Sequence, residues 1–175
     1  GVSSAASDVY KRQANSIKFG SGSEFSAVSP VTTPLLSIST PIGLQFGPNP
    51  APITVEDTGH NLTVFNAFST APLKTGADLS GLGVSPGRTI ALVGGNLTLN
   101  GGIIKSNGAI ELGANAVGNQ VGLIQSGNNW TFDYGNSQMG DVTLKQRSIV
   151  DASGIESSSI HILGRQILLQ DASVL

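Results

Sequence analysis

Two stretches of this chain, 70 residues apart, carry nearly the same pattern of apolar residues and glycine. They read TIALVGGNLTLN from residue 89 and SIHILGRQILLQ from residue 159. Each alternates apolar side chains with polar or small ones, which is typical of a short β-strand that buries one face. A spaced repeat of such strands predicts a stack of similar units rather than one closed core.

Short strands of the same type recur along most of the chain. Examples are SIKF (16–19), ITV (53–55), NLTV (61–64), LTL (97–99), AIEL (109–112), VTL (142–144) and IHI (160–162). Gly and Asn separate them, and these residues accept the positive φ angles of tight corners. Strands this short favour an all-β, single-stranded parallel β-helix (a solenoid) over a sandwich. With about 20 residues per coil, the 70-residue offset predicts three to four coils between the two stretches.

A second, weaker similarity between two pairs of segments also supports a stack of similar units. The triplet Leu97–Leu99 resembles Val142–Leu144, and Ile103–Ile104 resembles Ile149–Val150 with a slip of one residue. The slip indicates that successive coils differ in the length of their corners.

The chain divides into regions of different character. Residues 1–13 lack the repeat pattern, and we interpret them as a non-native or disordered leader, a sequence artefact. We interpret residues 14–175 as a β-helix fragment, since the chain stops inside an expected strand. All 8 prolines fall within residues 28–86, and proline removes a ladder donor. We therefore expect an irregular excursion with extra-helical loops over 28–86 and regular coils over 87–175.

Composition argues against several classes of partner. The formal net charge is −2, which leaves no basic surface for nucleic acid. No apolar run is long enough for membrane insertion. Cysteine is absent, so there is no disulfide framework.

Polysaccharide lyases and hydrolases also use β-helices, and their catalysis requires clustered carboxylates. Beyond residue 13 the carboxylates are scattered: Glu24, Glu56, Asp57, Asp78, Glu111, Asp133, Asp141, Asp151, Glu156 and Asp171. Asp151 and Asp171 lie 20 residues apart and would stack in a 20-residue coil, although solvated corners explain them equally well. His161 occupies an outward strand position, and without cysteine or a histidine pair a zinc site is not expected. We predict no catalytic residue, no metal, no cofactor and no enzymatic activity.

Trp130, Phe132 and Tyr134 alternate along one segment, which places three aromatic side chains on one strand face. Two interpretations stay open. The face packs over an irregular coil, or it is an exposed glycan-stacking face, because aromatic rings stack on sugars.

Several strings together carry a family resemblance. They are ANSIKFGSGSEFSA (14–27), PIGLQFG (41–47), PGRTIALVGGNLTL (86–99), AIELG (109–113) and VDASG (150–154). In this order they resemble the filamentous-haemagglutinin-like exoproteins of two-partner secretion, in particular the cyanobacterial type with a haemagglutination-activity domain. The resemblance covers residues 14–175.

The resemblance implies a right-handed parallel β-helix, export from a Gram-negative bacterium through an outer-membrane β-barrel transporter, and a secreted or cell-surface adhesin. Its targets would be glycans or proteins of a host or neighbouring cell. The family's secretion domain carries Asn-Pro-Asn motifs, whereas the only Asn-Pro here is Asn49-Pro50. This departure predicts that the secretion-recognition residues, and the contact with the transporter, lie upstream of this sequence. The alternatives are a carbohydrate-active β-helix enzyme and a purely structural spacer.

Overall fold

The computed structural model describes residues 10–12, 14–20, 22–28, 40–64, 73–74, 80–127, 129–153 and 158–175, and all regular elements there are β-strands. The strands are β1 Tyr10–Arg12, β2 Ser16–Phe19, β3 Glu24–Ser26, β4 Pro41–Gln45, β5 Ile53–Glu56, β6 Thr63–Val64, β7 Leu73–Lys74, β8 Leu82–Gly83, β9 Ile90–Gly94, β10 Leu97–Asn100, β11 Ile103–Lys105, β12 Ala109–Ala114, β13 Gln120–Ser126, β14 Asn129–Asp133, β15 Asp141–Lys145, β16 Ile149–Asp151, β17 Ser159–Leu163 and β18 Gln166–Leu169. The predicted all-β class is confirmed.

Three of the sheets are parallel. The first parallel sheet has the order β1-β9-β12-β17, the second β5-β10-β15-β18 and the third β8-β11-β16. Along the chain, β9, β10 and β11 supply one strand to each sheet, and β12, β15 and β16 then do so again. β17 and β18 start the same order once more, and Val174 forms a parallel bridge with Ile149 of the third sheet. We call each such passage through the three sheets a circuit.

The two similar stretches lie two circuits apart, so the predicted separation of three to four coils is wrong. In the first sheet Ile90 pairs with Ile110, which pairs with Ile160. In the second sheet Leu99 and Leu169 flank one intervening strand, β15. The circuit that starts at β12 is longer than expected because the chain leaves the stack between β12 and β15 to form the hairpin β13–β14.

The segments of the second, weaker similarity are direct neighbours in the parallel sheets. Leu97 pairs with Val142 and Ile103 pairs with Ile149, in consecutive circuits. The one-residue slip lies at the corner between β15 and β16, where Gln146 and Arg147 both have positive φ, 54° and 60°. A longer corner thus absorbs the extra residue without shifting either strand pairing.

Alternate side chains of the circuits point inward and form an aliphatic inner core. Its buried members are Ile53, Ile90, Leu92, Leu97, Leu99, Ile104, Ile110, Leu112, Ala114, Val142, Leu144 and Val150. Fully burying one such large side chain contributes about 1.5–3 kcal/mol. The register that stacks identical or similar aliphatics is therefore strongly preferred, since a slip by one residue would turn them outward.

A five-stranded sheet, which we call the covering sheet, has the order β14-β13-β4-β2-β3 and is antiparallel at every pairing. It packs on the outward face of the first parallel sheet. The buried residues of this second core are Leu44, Phe46, Ala91, Val93, Val121 and Tyr134. Ala91 and Val93 belong to β9, so this strand of the first parallel sheet is apolar on both faces.

The expected region boundaries differ from the structure in three places. Tyr10–Arg12, inside the expected leader, forms a strand that pairs in parallel with β9. Within the proline-rich region, β5 and β8 join the parallel sheets and β4 joins the covering sheet. Within the expected regular coils, β13 and β14 form an antiparallel hairpin. The prolines do not prevent the pairing of β4, β5 and β8, because none lies within β5 or β8 and Pro41 occupies the first position of β4. Residues 1–9, 29–39, 65–72 and 75–79 lie outside the described part of the chain.

Candidate functional site

One column on the outward face of the first parallel sheet carries the titratable side chains of Glu111 and His161. Ala91, Glu111 and His161 are register partners on β9, β12 and β17. Ile110 and Leu112 belong to the inner core, so strand alternation directs Glu111 outward. The hairpin β13–β14 lies over this face, so a carboxylate that would meet water on a bare sheet meets protein instead.

Glu111 contacts two side chains from different elements, and we call the three the Glu111 cluster. The hydroxyl of Tyr134, which follows β14, donates a hydrogen bond of 3.1 Å to Glu111 Oε1. His161 Nδ1 lies 3.6 Å from Glu111 Oε2. The side chain of Glu111 is 6% exposed and that of His161 is 58% exposed. The carboxylate is therefore inside the protein, and the imidazole stands at its solvent edge.

Burial dominates the electrostatics of this cluster. Desolvation penalises the ionised carboxylate and raises the pKa of Glu111 to about 7, although the hydrogen bond from Tyr134 acts in the opposite direction. Desolvation, followed by the charge of Glu111, raises the pKa of Tyr134 above its ordinary value, so the phenol stays protonated and donates. Glu111 thus changes protonation near neutral pH, where an exposed carboxylate is fully ionised.

A glycine makes room for the tyrosine. A Cβ on Gly113 would overlap the Tyr134 hydroxyl, so no side chain fits at this position. The register partners of Gly113 are Val93 and Leu163, which do carry side chains and pack in or against the second core. The absence of one side chain in this column is what lets Tyr134 reach Glu111.

The three predicted aromatic residues differ in exposure. Tyr134 is 5% exposed and belongs to the second core, and Phe132 packs against that core. Trp130 is half-buried near the tip of the hairpin, where its backbone N–H donates to Thr89 Oγ1 at 3.1 Å. A buried ring offers no face to a sugar, so Tyr134 serves as packing. A glycan-stacking role for Trp130 and Phe132 stays a prediction.

Two loops meet beside the cluster and form an open groove of about 380 Å³. The residues that line it are Val117, Asn119, Gln120, Tyr134, Gly135, Asn136, Ser137 and Gln138. Asn115 Nδ2 donates to Asn119 Oδ1 at 2.6 Å, and Asn119 Nδ2 donates to Ser137 Oγ. Ser137 Oγ in turn donates to the carbonyl of Tyr134. This chain of hydrogen bonds ties the loops to each other and to the Glu111 cluster.

The pairing of Glu111 with Tyr134 was not predicted from the sequence, which shows Glu111 only as one of several scattered carboxylates. Glu111 stands between Ile110 and Leu112, and no signal within this strand distinguishes it from a residue that faces solvent. The structure shows that the strand is covered on both faces. Its burial depends on a hairpin that returns over the strand, and alternation within the strand carries no information about that.

The other carboxylates in the described part of the chain do not form a cluster. No group of three or more His, Asp or Glu side chains that could hold a metal ion occurs among the described residues. Asp151 pairs with Lys105 at the end of β16, whereas the carbonyl of Asp171 accepts the Arg147 N–H at 3.0 Å at another corner. The suggested stacking of Asp151 on Asp171 is wrong, because Val142 pairs with Ile167 and the last circuit is longer than 20 residues.

His60 lies at a corner and is only 6% exposed. Its backbone N–H donates to the Arg147 carbonyl at 2.8 Å, and its Nε2 lies 2.7 Å from the Ala172 carbonyl. Because a carbonyl only accepts, Nε2 carries the proton. Nδ1 then accepts the Leu62 N–H at 3.2 Å. His60 is therefore a structural residue that joins an early segment to the corners of two later circuits.

Comparison with protein-family models matches the TPS secretion domain over residues 5–162. No curated protein and no solved structure matches the chain. The matched range contains the covering sheet, the Glu111 cluster and the groove. Within the part of the chain that the structure describes, no helix is long and apolar enough to cross a membrane.

The match also locates the secretion region. The lack of an Asn-Pro-Asn motif at Asn49-Pro50 predicts that secretion recognition, and with it the transporter contact, lies upstream. The family match shows that residues 5–162 themselves belong to a secretion domain. Which residues contact the transporter stays a prediction. The resemblance to two-partner exoproteins is confirmed: the chain belongs to the TPS secretion domain family, exoproteins exported across the outer membrane with the help of a transporter partner.

Proposed function

We propose that this chain is the secretion domain of a non-enzymatic surface adhesin and that its parallel sheets form a right-handed β-helix. The observation that carries the fold proposal is the return of successive circuits to the same three sheets in the same order. A chain that does so winds around one axis. Crossover connections between parallel strands of one sheet are right-handed in about 98% of cases. The connection from β9 to β12 is such a crossover, and we therefore propose the right-handed form.

The adhesin part of the proposal is supported by what the surface lacks and by the family. Only 11% of the residues are charged, and the carboxylates are dispersed rather than clustered. An extended, weakly charged surface suits adhesion or surface presentation to host or neighbouring-cell glycans or proteins. The same dispersal favours this function over a polysaccharide lyase or hydrolase, which needs convergent carboxylates.

Export and adhesion are tested together in a Gram-negative host. The chain, behind a signal peptide, is expressed with and without its outer-membrane transporter, and the medium is assayed for it. Export only with the transporter is expected, and the purified chain on beads should then attach to erythrocytes or to neighbouring bacterial cells. Absence of attachment contradicts the adhesin proposal. Release of unsaturated or shortened sugars from polysaccharide substrates would establish an enzyme instead.

The winding is tested with paired cysteines, because the chain has none of its own. Thr98 and Thr143 are register partners in adjacent circuits, within reach of a disulfide at the parallel strand spacing of about 4.8 Å. The pair Thr98→Cys/Thr143→Cys should cross-link. The matched pair Thr98→Cys/Leu168→Cys, two strands apart, should not. Efficient cross-linking of the second pair would contradict the order of the circuits.

A further inference from the structure

We propose that the groove beside the Glu111 cluster binds a neutral carbohydrate, a ligand assignment that rests on the proposed adhesin function. None of its eight lining residues carries a formal charge, and five have an amide or hydroxyl side chain besides Tyr134, whose hydroxyl donates to Glu111. Amides and hydroxyls both donate and accept hydrogen bonds. Sugar hydroxyls do the same, so the lining matches a neutral polyol.

The floor of the groove is held in place before any ligand arrives. Besides the side-chain bonds from Asn115 to Ser137, the Ala116 N–H donates to the Gln138 carbonyl at 2.8 Å. The Phe46 N–H donates to the Asn119 carbonyl at 2.9 Å, which ties one loop to the covering sheet. A site whose loops are already fixed loses less conformational entropy on binding.

Polar groups at the groove are left over for a ligand. The exposed side chains of Asn136 and Gln138 form no hydrogen bond with any other residue that the structure describes. The Gln120 amide lies flat over Gly43, where a Cβ would come within 2.7 Å of its Nε2. Side-chain amides that have no partner in the protein are available to form hydrogen bonds with the hydroxyl groups of a sugar.

Charge and backbone geometry favour a neutral sugar over an anionic sugar or a peptide. The carboxylate of Asp133, held by the Gly135 N–H at 2.9 Å, stands next to the groove and disfavours an anionic ligand. An extended peptide binds by adding to an open strand edge. Apart from Gln120, the lining residues lie outside the strands, so the groove presents loops rather than a strand edge.

The purified chain is titrated with neutral, sialylated and sulfated oligosaccharides of matched length and with an unstructured peptide, followed by calorimetry and NMR shifts. We expect binding of neutral oligosaccharides only, with shifts at 117–120 and 134–138. Asn136→Ala and Gln138→Ala should each weaken it about fivefold, as the loss of one hydrogen bond does. Gln170→Ala, an exposed amide at a distant corner, is the matched control and should bind as the parent chain does.

Absence of binding by every neutral oligosaccharide overturns the proposal, and so does tight binding of the peptide or the anionic sugars alone. Affinity that is unchanged in the double variant Asn136→Ala/Gln138→Ala, with an unchanged melting curve, overturns it too. The adhesin proposal is judged separately by cell attachment. Attachment that persists in the double variant would retain the adhesin function and reject the groove as its site.

Discussion

The parallel sheets and the covering sheet are made of similarly short strands, but only the parallel sheets repeat. Residues paired across successive circuits are alike, as Leu97 with Val142 and Thr98 with Thr143. The covering sheet instead pairs unlike, antiparallel segments drawn from residues 16–26, 41–45 and 120–133. The inner core is entirely aliphatic, whereas the seam between the first parallel sheet and the covering sheet contains Glu111. The chain thus keeps its repeated part apolar and places a titratable contact where the two architectures meet.

The largest expected difference between the two regions is in core truncation. Leu112 is fully buried in the inner core, and Leu112→Ala should lower the free energy of unfolding by about 3–4 kcal/mol. Leu123 of the covering sheet is only partly buried against the second core, and Leu123→Ala should lower it by about 1–2 kcal/mol. Urea unfolding at one pH measures both. Equal losses would show that the covering sheet contributes as much to the stability of the fold as the circuits do.

A methyl group placed in the seam tests the fit between the regions. Gly113→Ala would push Tyr134 away from Glu111 and should cost about 2 kcal/mol. Gly20→Ala is the control, because its Cβ would meet nothing nearer than Ile42 at 3.7 Å. If Gly113→Ala were as stable as the control by thermal unfolding, the seam would be looser than its geometry indicates.

The carboxylate should make the seam sensitive to pH. Since folding raises the pKa of Glu111 from 4.5 to about 7, the folded state binds the proton more tightly than the unfolded state. Its contribution is fully present below pH 4.5 and is lost as the pH rises through 7, on the order of 2 kcal/mol. Urea unfolding between pH 4.5 and 8 should show this fall, and Glu111→Gln should flatten it. His161→Asn is the companion variant, which removes the neighbouring imidazole. A slope that survived in Glu111→Gln would assign the effect to another group.

The smallest expected effect is at the hairpin tip. Thr89→Val removes the hydroxyl that accepts the Trp130 N–H and lies 3.4 Å from Asn129 Oδ1. The loss should be about 1 kcal/mol, and it should increase amide exchange in β13–β14 while leaving β10 and β15 protected. Uniformly faster exchange in all strands would mean that the hairpin does not open separately from the circuits.

Local pattern was enough for the strands and for much of their stacking. The alternation around Leu97 and Val142 predicted both strands and their correspondence, because partners across parallel circuits bury the same face. Local pattern was not enough for the circuit count. Uniform coils do not account for the offset between residues 89 and 159, because the hairpin β13–β14 takes up much of that length. The prolines predict an interruption of the stack over residues 28–86, yet Ile53 and Leu82 pair within the stack.

The candidate site was the least predictable part. Trp130, Phe132 and Tyr134 were singled out because they alternate, and alternation alone does not say which neighbour covers a face. The structure buries Tyr134 and pairs it with Glu111, which no spacing rule connects. The loops that form the groove are brought together by Asn115, Asn119 and Ser137, and their contacts join positions up to 18 residues apart.

The sequence by itself determined the all-β class, the inward aliphatic positions and the kinship of the paired stretches, because burial of one strand face leaves a period-two signature in the chain. Only the tertiary structure decided how many circuits separate those stretches, which outward face is covered, and that Glu111 is desolvated. These depend on where segments distant in sequence return to pack, and desolvation of a carboxylate is set by that packing rather than by its neighbours along the chain.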